Sequence, residues 1–162
     1  MDFNATSAAG ASVTASVMVL AVFYAFVLAV PRHLPLNWLY VLGSALVGLW
    51  TTRRAPTCAA GLALQLALAV LLSFVFARLY QALGIHPGGI SFAAWGFVAG
   101  GIFWLFAGAL LPILDNIHPL IHRGGLRLLG PYARNYGIPT VAALWLANMA
   151  FGALLGHLYQ AW

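Results

Sequence analysis

What most constrains this chain is how little of it can face water. Between Ser12 and Val30, and again between Ile90 and Leu114, there is no charged residue. Across the 162 residues only 6% are charged and 64% are hydrophobic, whereas a soluble domain carries about 25% charged residues. So few charges cannot clothe a surface in contact with water, which leaves lipid as the solvent. The expected fold class is all-α: a polytopic transmembrane helical bundle forming a single integral membrane domain over residues 1–162.

A spanning helix needs about 20 mostly apolar residues. Five runs approach that length. They are Ser12–Val30, stopped by Pro31-Arg32-His33; Leu36–Thr52, which is short; Thr57–Leu83; Ile90–Leu114; and Pro139–Trp162. If Leu36–Thr52 only dips into the bilayer, the spans number four. The first dozen residues lack the positive stretch of a secretory leader, so the first run reads as a retained helix. Asn4-Ala5-Thr6 spells a glycosylation acceptor, a pattern short enough to arise by chance. Residues 116–138 lie within "DNIHPLIHRGGLRLLGPYARNYGI", too polar to span and too apolar for a free loop. Leucines alternating with arginines predict a short helix or broken turn lying in the interface. Gly124-Gly125 and Pro131 argue against one continuous helix.

The charge balance narrows the partners. Seven Arg and no Lys stand against Asp2 and Asp115. No basic patch interleaves with aromatics outside the apolar runs, which argues against nucleic acid. Arg forks match phosphate bidentately, so Arg53, Arg54, Arg123, Arg127 and Arg134 are assigned to anionic lipid headgroups. With five spans and a cytoplasmic N-terminus, those five face inward while Arg32 and Arg78 lie opposite. The expected location is a bacterial inner membrane. Cys58 is the single cysteine, so there is neither a disulfide framework nor a thiolate cage.

"ARLYQAL", Ala77–Leu83, returns 79 positions later as "GHLYQAW", Gly156–Trp162. The same offset lays Ala69, Ser73 and Ala77 on Asn148, Gly152 and Gly156, which suggests an internal repeat of two parallel halves. Small residues let helix backbones approach where burial of apolar surface gives no drive. Ser44 with Gly48, Ser73 with Ala77, Gly96 with Gly100, and Gly152 with Gly156 are therefore the expected packing stripes. Intramolecular packing is the plainer use of these stripes; a docking face for a partner or a second copy is the sharper one.

Few residues offer chemistry. Gln65 and Asn148 fall inside spans and read as hydrogen-bonding glue between helices. Arg78 lies near enough to its helix end to snorkel. His33, His86 and His157 share a side in the five-span arrangement, so with Arg78, Gln65 and Asn148 they are the candidate ligand set. Haem, copper or zinc would be the cofactor, though the spacing makes no motif. His118 and His122 have the spacing of a diiron box, but Pro119 interrupts a regular helix across them. No glutamate is present, and no acid pair or marked Ser–His dyad supports hydrolysis. Asp115 sits at a helix end where solvation is easy. Trp38, Tyr40, Trp50, Tyr80, Tyr159 and Trp162 suit an aromatic belt. Trp95, Phe103, Trp104 and Phe106 lie deeper, where they would pack or line a pigment or quinone crevice.

"LANMAFGALLGHLY", Leu146–Tyr159, and "GFVAGGIFWLFAGALLP", Gly96–Pro112, resemble the last two helices of a group of small bacterial multi-span membrane proteins with two similar halves. The resemblance covers about a third of the chain and implies a two-halved bundle and no particular activity. That group often carries a His upstream of Phe-Gly; Asn148 stands near its place here. The leading expectation is a non-catalytic integral membrane subunit that packs against a larger complex, respiratory or photosynthetic. The alternatives are a small-molecule or metal-handling membrane protein, or a haem- or quinone-binding redox subunit.

Overall fold

The computed structural model describes residues 4–30, 35–84 and 89–159, without the side chains of residues 89–91. It is all-α, with no strand among the described residues. Four helices are long and apolar enough to cross a membrane. The protein is an integral membrane protein by that measure. In chain order the helices are α1 (Ala5–Ala29), α2 (Trp38–Val47), α3 (Arg54–Ala82), α4 (Gly89–Ala109), α5 (Leu111–Ile117), α6 (Pro119–His122) and α7 (Ile138–Leu158), with a 3-10 turn at Pro131–Tyr136.

Local chemistry sets the boundaries. Asn4 starts α1 earlier than the apolar run suggested, because its Oδ1 accepts from the Ser7 amide at 2.9 Å. Asn37 does the same for α2, accepting from the Tyr40 amide at 3.1 Å. At Arg54 α3 begins, ahead of Pro56, which is tolerated in a first turn whose amides have no helical partner. Pro112 breaks the α4 hydrogen-bond ladder, and α5 restarts after Leu110. Asn116 and Ile117 close α5, and His118 turns the chain into α6.

The second apolar run forms only a short helix. Its helix has 10 residues, or about 15 Å at 1.5 Å per residue, half of the ~30 Å hydrocarbon core. Gly48, Leu49 and Trp50 end it in a turn.

The chain divides into two compact units. One consists of Met1–Tyr24, Leu66–Trp104 and Leu144–Trp162. Its core joins Ala8, Ala11 and Ala15 of α1 with Ala69, Phe76, Ala77 and Tyr80 of α3, Phe92 of α4, and Phe151 and Leu155 of α7. Here α1 buries Ala and Ser, with Phe23 the one large side chain among them, while exposing Val13, Val17, Met18 and Val22. That is the reverse of a soluble helix, and it is what lipid favours: small residues at contacts, large apolar ones outside. Buried Ser12 and Ser73 donate to carbonyls three residues back, at 2.8 Å and 2.7 Å, so neither needs a partner across the contact.

Within this unit the glycines of α4 and α7 meet backbone to backbone. A Cβ on Gly96 would overlap the Gly152 carbonyl oxygen, and one on Gly152 the Gly96 oxygen. Gly100 lies equally close to the Asn148 carbonyl, and Gly156 to that of Phe92. As position rises along α4, its partner on α7 falls, so the two helices are antiparallel. The aromatic rings pack beside them: Tyr80 meets Phe92 edge-on at 4.7 Å, and Tyr159 stacks on Phe92 at 6.0 Å. Tyr80 and Tyr159 are thus buried core residues rather than belt residues.

The other unit consists of Ala25–Gln65 and Leu105–Ala143. In it α2 packs on the start of α3 through a second close approach. Gly43 has no room for a Cβ against the Thr57 carbonyl, and Gly61 none against that of Leu39. Gly48 belongs to a different contact, beside the Leu120 side chain at the end of α2.

Candidate functional site

The polar groups with most chemical potential lie in the second unit, at a junction and a loop. The junction joins α2 to α6. His118 is fully buried, as is Ser44. Its Nε2 lies 3.2 Å from Ser44 Oγ and 3.1 Å from the Val41 carbonyl oxygen. Its Nδ1 accepts from the Leu120 amide at 3.2 Å, capping α6. A nitrogen that accepts from an amide holds a lone pair, so in the neutral ring the proton sits on Nε2. Nε2 therefore donates to Val41, and Ser44 Oγ also donates to that carbonyl, at 3.1 Å.

This settles what the pair can do. A base for Ser44 would need a free lone pair on Nε2, where a proton sits. Neither side chain is reachable from outside. The Ser–His contact, which no sequence signature marks, ties α6 to α2. His122 is separated from it: exposed, with Nε2 donating to the Asn116 carbonyl at 2.6 Å. The two histidines bracket one helical turn: His118, with an extended backbone, caps α6 and His122 ends it.

The loop is held by Asp115. Sequence placed this acid at an easily solvated helix end; it is instead buried. Oδ1 accepts from the Leu129 amide at 2.8 Å and Oδ2 from the Gly130 amide at 2.7 Å. Hydrogen bonds to a charged group contribute about 1.5–3 kcal/mol each. What they hold is strained. Tyr132 and Ala133 both have left-handed backbones, at φ 58° and 59°, a conformation costing non-glycine residues about 1–3 kcal/mol each. The two amounts are of similar size, so the loop's shape depends on the carboxylate.

Three further contacts fix the loop. The Tyr132 ring occupies the space a side chain at Gly108 would need. Asn135 donates its amide to the Leu129 carbonyl at 3.1 Å. Tyr136 donates its hydroxyl to the Arg127 carbonyl at 3.0 Å. Burial pushes the Tyr136 phenol up from its ordinary value; Arg127 pulls it down and Asp115 pushes it up, both by less. The segment expected to be a short helix or broken turn is a four-residue helix followed by this clamped loop.

The remaining candidates are dispersed. Gln65 accepts from Trp38 Nε1 at 3.1 Å, a tie from α3 to α2. Asn148 donates to the Leu144 carbonyl of its own helix at 2.8 Å, while its backbone packs on Gly100. Arg78 is exposed and reaches Gln81 at 3.4 Å. His157 is exposed near the end of α7. His33 and His86, like Arg32 and Trp162, lie outside the described residues. Among the described residues no three His, Cys, Asp or Glu are grouped to hold a metal ion. Of the deep aromatics, Trp95 and Phe106 are exposed and Trp104 is buried; Phe103 meets Phe76 edge-on at 6.4 Å. Arg53, Arg54, Arg123, Arg127 and Arg134 are all exposed.

Sequence reasoning missed Gly43, Gly61, the Ala8–Ser12–Ser16 face of α1, and the roles of Asp115 and His118. The small residues of α1 were visible at helical spacing. Nothing in the sequence announces that Asp115 reaches forward to Leu129. No protein-family model, characterised protein or solved structure matches the chain.

Proposed function

We propose that this protein is a non-catalytic integral membrane subunit that packs against and stabilises a larger membrane complex, respiratory or photosynthetic, in a bacterial inner membrane. One observation carries the reading. The two buried ionisable side chains of the described loop region, Asp115 and His118, both bind backbone groups of their own chain. Ionisable residues inside membrane proteins usually mark chemistry or transport; these two hold a loop and a helix start. We also propose a two-halved pattern, with α1 rather than the second apolar run as the counterpart of α4. The buried face Ala8, Ser12, Ser16 of α1 has the spacing of Phe92, Gly96, Gly100 on α4, and Ala69, Ser73, Ala77 of α3 that of Asn148, Gly152, Gly156 on α7. Each half then reads as long helix, short interrupted helix, long helix.

Taking α2 as too short to cross, we infer the opposite orientation to that expected from five spans. With four crossings, the segments on either side of α2 and the segment after α5 lie on one side, and both ends of the chain on the other. Six arginines then face one way, Arg32, Arg53, Arg54, Arg123, Arg127 and Arg134, against Arg78. The positive-inside rule makes the six-arginine side cytoplasmic and puts the N-terminus outside.

Gentle solubilisation of native membranes followed by separation by size tests the subunit reading. The chain should travel with other polypeptides, well above its own 17.2 kDa plus detergent. A stable, partnerless monomer under the same conditions contradicts it.

A further inference from the structure

We propose that the clamped loop from Arg123 to Tyr136 is a binding site for the headgroup of an anionic phospholipid, with Arg127 and Arg134 as its phosphate-gripping residues. This rests on the membrane location assumed under the proposed function, but not on any protein partner. A segment that joins two apolar spans lies where the headgroups are. Most such connections carry no strain. This one keeps two consecutive left-handed residues, Tyr132 and Ala133, with a buried carboxylate bonding two of its amides. Sparsely populated backbone that persists under such support is characteristic of sites shaped for a ligand.

The support acts on the arginines themselves. The Arg127 carbonyl is fixed by the Tyr136 hydroxyl at 3.0 Å. The Arg134 carbonyl is fixed by the Gly137 amide at 2.9 Å. Both exposed guanidinium groups therefore hang from immobilised backbone, which lowers the ordering needed to form a bidentate pair with a phosphodiester. Between them in sequence, Leu128 stands 51% exposed. An exposed apolar side chain next in sequence to Arg127 suits a ligand with a charged head and a hydrocarbon tail, and that amphipathic pairing favours lipid over free phosphate.

The test uses the full-length protein in nanodiscs of phosphatidylcholine alone or with phosphatidylglycerol. The parent should melt at a higher temperature in the mixed discs. R127Q/R134Q should lose most of that gain, with an unchanged helical spectrum and unchanged melting in phosphatidylcholine. R53Q/R54Q removes the same charge from another exposed arginine pair at headgroup level, outside the clamped loop, and should lose clearly less of the gain. Equal losses in the two double variants would reduce the effect to general surface charge and overturn the site. So would a parent indifferent to phosphatidylglycerol, or inorganic phosphate reproducing the gain in phosphatidylcholine discs. An Arg127/Arg134 dependence seen only with a co-purified acidic protein would also overturn it. Should R127Q/R134Q fail to fold, R127K and R134K keep the charge but not the planar fork. Fewer retained phosphatidylglycerol molecules by native mass spectrometry then support the site, and an unchanged number overturns it. A lone monomer on solubilisation leaves all these arms readable, because none needs a partner.

Discussion

At the scale of single residues, the buried polar side chains act on backbone, and their removal should be read in those terms. His118→Ala strips α6 of its cap and leaves the buried Leu120 amide without its acceptor. A buried group left unsatisfied costs about 1–3 kcal/mol, and denaturant titration in detergent should show a loss of that order. His118→Asn can still accept from the Leu120 amide, since Asn is a good cap, but reaches α2 less well. It should fall between parent and Ala. Equal stability of parent and His118→Ala would mean that the junction contributes nothing. Tyr136 gives a pH test with a definite sign. Its folded phenol is raised above the ordinary 10.0 by burial, so the unfolded loop surrenders its proton first. Stability is therefore unaffected below pH 10 and declines as the pH climbs past it. Tyr136→Phe, which cannot ionise, should lose this alkaline decline while losing the bond to Arg127. A decline of the same size in Tyr136→Phe would assign it to another group.

At the scale of helices, space rather than polarity decides which face turns inward, and the sequence was legible to that extent. Gly96, Gly100, Gly152 and Gly156, singled out by their spacing, lie where the α4 and α7 backbones meet. Ser44 and Gly48 face α6, at His118 and Leu120, while α2 uses Gly43 for its close approach to α3. One residue of offset separates those faces, and a pattern of small residues in a ten-residue helix does not choose between them. Leu154, two residues further along α7, would be a poor control for Gly152, since it packs on the core. A better control is Gly10, beside which a Cβ meets nothing within 4 Å. Gly152→Leu should weaken association of α4 with α7, at a cost of about 1–3 kcal/mol or more from overpacking. Gly10→Ala should be neutral or slightly stabilising, because Ala is the better helix former. Thermal melting in detergent measures both. A Gly152→Leu protein as stable as the parent would contradict the backbone contact.

At the scale of the whole molecule, composition was enough to place the chain in lipid and make it helical. What it left open was the number of crossings, because Leu36–Thr52 is apolar nearly throughout while its helix occupies only Trp38–Val47. Apolarity records the environment of a segment, not its direction. Asp115 was misread for a related reason: whether an acid at a helix end meets water depends on a loop that folds back from fourteen residues later. The central claim is therefore the four-crossing arrangement, on which the arginine side and the two-halved pattern stand. Labelling by a membrane-impermeant maleimide tests it most directly, with Cys58→Ala as background and single cysteines at the exposed positions Ala5, Thr52 and Arg123. In sealed vesicles of known orientation, Thr52→Cys and Arg123→Cys should label from the cytoplasmic side and Ala5→Cys from the opposite one. All three labelling from the same side would mean that the second apolar run crosses the membrane, and would contradict the account.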